Sequence, residues 1–80
     1  MQITIRLLAS YRRFLPEGHD AEAGFPYTVT PATSVEQVLA ELPIPPAEPY
    51  TFFVNGRHTD RSHTLQPGDV LSVFPAVGGG

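Results

Sequence analysis

Leu65-Gln66-Pro67-Gly68-Asp69-Val70-Leu71-Ser72-Val73-Phe74-Pro75-Ala76-Val77-Gly78-Gly79-Gly80 is the stretch on which the reading of this chain turns. It opens with a turn that sets proline ahead of glycine, as type II turns prefer. Residues 70–74 then form a short apolar run of buried-strand character. Three glycines follow Val77, and a packed domain gains nothing from ending a strand on residues without side chains and with the largest backbone entropy. A frayed terminus is the plain alternative. A chain whose chemistry takes place at its own last carboxylate does gain from such an ending, because a tail without side chains can enter a narrow cleft. Residues 75–80, fully extended, reach roughly 20 Å.

Working back from that stretch, residues 50–54 are β-rich and run into Asn55-Gly56, the strongest short hairpin signal, since both turn positions want positive φ. Residues 57–59 are the expected short return strand. Residues 1–7 alternate, with Met1, Ile3, Ile5 and Leu7 on one face and Gln2, Thr4 and Arg6 on the other, which is the pattern of a half-buried strand. Residues 25–30 alternate again with Phe25, Tyr27 and Val29 inward, and Pro26 places them at a sheet edge or a strand start. Between these two strands lies a long charged connection, in which Tyr11, Phe14 and Leu15 can anchor a helical turn. Val35, Val38, Leu39 and Leu42 make one apolar helical stripe. Thr33 with Glu36 has capping-box spacing, and Ser34 with Gln37 is the competing phase. Pro43 ends the helix, and Pro43, Pro45, Pro46 and Pro49 stiffen the connection beyond it. One helix against a mixed sheet is an α+β design.

Composition narrows the functional classes. Eighty residues make one small domain, 41% apolar, with net charge −3 and no cysteine. Disulfides, thiolate metal sites and a cysteine nucleophile are therefore excluded. The five basic residues are all arginine and build no stripe for nucleic acid. The lack of lysine is read as an arginine-rich bias of the genome in preference to protection of an activated C-terminus from its own amines. No apolar run approaches a membrane span, and the alternating N-terminus is not a signal peptide, so a cytoplasmic location is expected. His19, His58 and His63 lie in loops or on a short strand near Asp60, without ligand spacing, and read as solvated side chains. The serines have no histidine–acid arrangement, and the glycine-rich end is no phosphate cradle because no helix follows it.

The strand order together with residues 65–80 resembles the MoaD/ThiS sulfur-carrier proteins, which have the ubiquitin-like β-grasp fold, and the resemblance covers essentially the whole chain. The MoaD branch carries a leucine, a Gly-Asp turn, an apolar strand, Phe-Pro-Pro-Val and a final Gly-Gly. Here Ala76 replaces the second proline, and Gly78 stands where a small residue is usual. Val54-Asn55-Gly56 is similar to the family's central hairpin, and residues 9–13 to the segment after its first strand. The resemblance implies a four- to five-stranded mixed sheet on one main helix, with residues 1–74 as the β-grasp domain and 75–80 as a flexible tail.

It also implies a carrier that is not itself an enzyme. Gly80 would be adenylated by an E1-like enzyme using ATP and Mg²⁺, then converted to a thiocarboxylate by a persulfide sulfur donor. Its sulfur would pass to an acceptor such as the large subunit of molybdopterin synthase. The carrier itself would bind no cofactor or metal. Val77, Gly78 and Gly79 would lie in the partner's cleft. Arg12 matches a position of partner contact in the MoaD branch. Strand parity adds Leu8 and Phe74, which emerge together on the open sheet face next to Pro75, as a docking patch; the alternative is that both fold under the long loop as core, and Val70 is left unassigned. The Phe-Pro-x-Val ending favours molybdopterin biosynthesis over thiamine thiazole synthesis. A ubiquitin-like protein modifier and a non-catalytic β-grasp binding module are the rival classes.

Overall fold

A computed structural model of the chain describes residues 1–15, 23–44 and 49–76. Strands β1 (Gln2–Leu7), β2 (Phe25–Thr28), β3 (Tyr50–Val54) and β4 (Val70–Pro75) form one sheet in the order β2-β1-β4-β3. β1 and β4 are parallel at its centre, and the two outer pairs are antiparallel. A 3-10 helix, Ala9–Phe14, follows β1, and the single α-helix, α1 (Val35–Glu41), lies between β2 and β3. This is the mixed sheet on one helix expected of a β-grasp domain.

The alternation of β1 explains its place. Ile3, Ile5 and Leu7 are buried on one face and meet Val35, Val38, Leu39 and Leu42 of the helical stripe together with Leu65, Leu71 and Val73. Each such aliphatic side chain contributes about 1.5–3 kcal/mol when fully withdrawn from water. Tyr11 of the 3-10 helix is completely buried, and Phe14 and Leu15 pack half-buried beside it. Gly24, at φ +78°, begins β2 where only glycine fits, since a Cβ there would stand 2.5 Å from the Ile5 carbonyl oxygen.

Two local expectations are corrected. The capping box is Ser34 with Gln37, not Thr33 with Glu36. The Ser34 Oγ accepts from the Gln37 amide at 3.2 Å, and the Ser34 amide donates to Gln37 Oε1 at 2.8 Å. The loop before β4 fixes this phase, because the Val35 and Glu36 amides donate to the carbonyls of His63 and Arg61, both at 2.9 Å. Thr33 instead bonds back to Thr30. The return strand at 57–59 also does not form. Asn55 and Gly56 do take positive φ, +53° and +78°, but the turn closes only the single Val54–Arg57 bridge. With no further strand to pair with, the chain leaves the sheet. The turn before β4 is as expected: the Asp69 amide donates to the Gln66 carbonyl at 3.1 Å and Gly68 sits at φ +83°.

Candidate functional site

Because Ile3, Ile5, Leu7, Leu71 and Val73 point to the helix, the residues between them define the opposite face. The pairing register lines these up in rows across the sheet. Thr4 pairs with Val70. Arg6 pairs with Ser72, and Ser72 with Phe53. Phe74 pairs with Thr51, and the Leu8 amide donates to the Val73 carbonyl at 2.9 Å, carrying the β1–β4 ladder one residue beyond β1. No helix covers this face among the described residues.

Leu8, Phe74 and Pro75 are all half-buried, neither sunk in the core nor bare. The Phe74 ring lies 5.3 Å from that of Phe53, tilted by 58°. Phe53 in turn receives His58 edge-on at 4.5 Å. Such offset and edge contacts are the favoured aromatic geometries. Together they make an aromatic ladder across the open face that ends at the strand leading to the tail. Pro75 still pairs with Tyr50, and the Ala76 amide donates to the Pro49 carbonyl at 3.2 Å. β4 thus delivers the chain in extended form as far as Ala76. Val77, Gly78, Gly79 and Gly80 lie outside the described residues.

Arg12 is exposed on the 3-10 helix, which packs against β4 and β1. Its neighbour Arg13 is engaged locally, donating to the Ser10 carbonyl at 3.2 Å and stacking on Phe14 at 4.5 Å. Phe53, which the sequence did not single out, joins the open face, as do His58, read from sequence as a solvated side chain, and Val70, left unassigned there. The signal available was the pair Phe52-Phe53, which puts an aromatic ring on each side of one strand and so marks the outer side as more than a solvated surface.

At the opposite end of β4, Asp69 is a buried hub. Its carboxylate accepts from the Gln66 amide at 2.8 Å and from Asn55 Nδ2 at 3.0 Å. Asn55 Oδ1 accepts from the Val70 amide at 2.9 Å. The hairpin turn is thereby stitched to the start of the central strand. His63 Nε2 stands 3.8 Å from the Asp69 carboxylate. A groove of about 480 Å³ beside them is lined in part by His58, His63 and Asp69, yet no group of three potential metal ligands exists among the described residues. His19 lies outside them. On the helix side Arg61 donates to the Tyr50 hydroxyl at 2.6 Å and stacks over Tyr50 and Phe52. Tyr27 donates to Glu41, tying β2 to the end of α1. This bond, with burial and the glutamate charge, raises the phenol pKa to about 12. No helix of the described residues is long and apolar enough to cross a membrane.

A parallel central pair flanked by antiparallel strands, with one helix on one side, defines a ubiquitin-like β-grasp domain. The chain matches the family model described as the ThiS family over residues 5–80, and it belongs to that family of ubiquitin-like sulfur carriers. No curated protein and no solved structure matches it. Carriers of this family are not catalysts; they work with E1-like activating enzymes and with acceptor enzymes that take the sulfur.

Proposed function

We propose that this carrier works through the Gly80 carboxylate and serves molybdopterin biosynthesis, as the small subunit of a two-subunit synthase. A free carboxylate is a poor electrophile, so the tail must first be activated. Its oxygen attacks the α-phosphorus of ATP, pyrophosphate leaves, and an acyl-adenylate forms in an E1-like partner that supplies the Mg²⁺. The outer sulfur of a donor persulfide then attacks the acyl carbon and AMP leaves, giving an acyl disulfide. A thiol of the partner cleaves its S–S bond, so that Gly80 ends as a thiocarboxylate and the two partner sulfurs as a disulfide. The carrier contributes positioning, which removes much of the entropic barrier in such transfers. Gly78 and Gly79 offer bare backbone for strand-like hydrogen bonding in the partner's cleft, with Val77 as the side chain that enters it. Leu8, Arg12, Phe74 and Pro75 form the docking surface next to the tail.

The observation that carries this reading is the run from the Gly68-Asp69 turn through β4 to the glycines. In the structure it puts the base of the tail on the best-held strand of the sheet. The Phe74-Pro75-Ala76-Val77 sequence favours the molybdopterin branch over thiamine thiazole synthesis. The test is intact-mass analysis after incubation with ATP, an E1-like enzyme and a sulfur donor. A mass gain equal to replacement of one oxygen by sulfur, lost on deletion of Gly79 and Gly80, is expected. The thiocarboxylate form is then offered separately to the large subunit of molybdopterin synthase and to a thiazole synthase, and sulfur should reach only the first product. An unchanged mass would overturn the carrier chemistry, and transfer only to the thiazole would overturn the branch. Isopeptide conjugates on other proteins would instead support a modifier.

A further inference from the structure

Arg6 lies near the middle of the open face and does not fit the aromatic character of its row. It pairs with Ser72, which pairs with Phe53, so the three stand side by side across β1, β4 and β3. Ser72 is only 6% exposed although it lies on the face without a helix. A side chain that small is sheltered there by its larger row neighbours. Arg6 is itself half-buried, and its Nε is fully buried with no hydrogen-bond partner. The backbone at Gly24 presses on its stem, since a Cβ there would stand 2.9 Å from Arg6 Cγ. Among the described residues no carboxylate is bonded to Arg6; the ion pair they contain is that of His63 with Asp69, elsewhere.

A buried donor left without an acceptor is costly, and a guanidinium presents a planar fork that matches a carboxylate in two parallel bonds. The Nε itself is shut away, but Arg6 as a whole is half-exposed, so an acid from outside would meet the far end of the fork, on a face rimmed by Leu8, Phe53 and Phe74. We propose that Arg6 is the charged anchor of the docking face and takes an aspartate or glutamate side chain of the activating partner. The aromatic ladder would seal that contact from water. The inference rests on the carrier reading above and names the chemistry of the surface that must meet it: an apolar patch with one acidic side chain set opposite β1. It also assigns a role to the charged residue on the polar face of the first strand.

The test is ATP–pyrophosphate exchange by an E1-like enzyme that accepts the wild-type chain, followed against carrier concentration at low and high salt. Arg6→Met should raise the half-saturating carrier concentration about thirtyfold, the scale of truncating one partner of a buried charge pair, with the maximal rate unchanged. Arg6→Glu should be worse, and Arg6→Lys intermediate. The wild-type value should rise with salt, and that of Arg6→Met should rise less. Melting temperatures should stay close to wild type, since among the described residues Arg6 has no bonded acid to lose. Should Arg6→Met fail to fold, Arg6→Lys keeps the test open, because it retains the charge and stem and loses only the fork. Equal half-saturation for folded wild type and variants would overturn the proposal. So would thermal coupling of Arg6→Met with a Glu17→Gln/Asp20→Asn/Glu22→Gln triple variant, which would place the counter-charge within this chain. Absence of any exchange with the wild-type chain is a different failure, that of the carrier reading itself.

Discussion

The two faces of this sheet are made by the same strands and differ in almost every physical respect. On the helix side Ile5, Leu7, Leu71 and Val73 have no exposed surface at all, and these strand residues are all aliphatic, with Tyr11 and Phe25 closing the same core. On the other side Thr4, Arg6, Phe53, Val70 and Phe74 are all half-buried, and the chemistry is mixed: an arginine, a hydroxyl, two phenyl rings. The first face is finished, in the sense that every side chain has its neighbours within the chain. The second holds rings in contact with one another and a guanidinium nitrogen without a hydrogen-bond partner among the described residues. The contrast teaches that burial alone does not separate structural from interacting residues in so small a domain. What separates them is the company the buried groups keep: packed hydrophobic side chains on one side, and rings, hydroxyls and a guanidinium open to solvent on the other.

Substitutions on the two faces should therefore fail in different ways. Leu71→Ala removes a fully buried side chain from the finished face and should cost about 2–5 kcal/mol, a large part of the stability of a domain this size. In urea denaturation the midpoint should collapse, and any loss of activation by an E1-like enzyme should track the unfolded fraction. Phe74→Asp, on the open face, should leave the midpoint nearly unchanged and weaken binding to that enzyme by about 2 kcal/mol, as loss of an aromatic anchor does. A Phe74→Asp chain that folds and still binds normally would end the docking assignment, and a collapsed midpoint would move Phe74 into the core. The smallest effect is expected at the rim, where β2 meets α1. The Tyr27 phenol is held above the ordinary value of 10.0, at about 12, so its bond to Glu41 contributes fully below pH 10 and fades as pH climbs toward 12. Thermal melts across that window should show wild type losing a small advantage that Tyr27→Phe never has. Parallel curves for the two proteins would remove Tyr27 from the account.

Much of the finished face was legible in the sequence because it is written in periodicity. The alternation of residues 1–7 and the stripe Val35, Val38, Leu39 and Leu42 each specify one side of one element, and the two sides must meet. The helix start was not legible to the residue. Thr33 and Ser34 both suit the cap, and the choice falls to the carbonyls of Arg61 and His63, which come from a distant loop. The missing return strand has the same origin: Asn55-Gly56 dictates the turn, but a strand also needs a neighbour, and beyond Arg57 none is offered. For the open face, parity put Leu8 and Phe74 on one side. It could not show that Phe53 and His58 extend the patch, because the register of β3 on β4 decides that. Arg6 read as an ordinary polar-face residue. Only the row it shares with a sheltered serine sets it apart.

The parallel alignment of β1 with β4 has a mechanical consequence. β4 has a hydrogen-bonded strand on either side and stays extended as far as Pro75. A load applied at the glycine end, as when a tail is drawn into or released from a tight enzyme channel, acts along the axis of β4 and against β1 in shear. The bonds of the ladder would then have to yield together instead of unzipping one by one. A fold that roots its C-terminal segment on an inner strand sets the whole ladder against such a load.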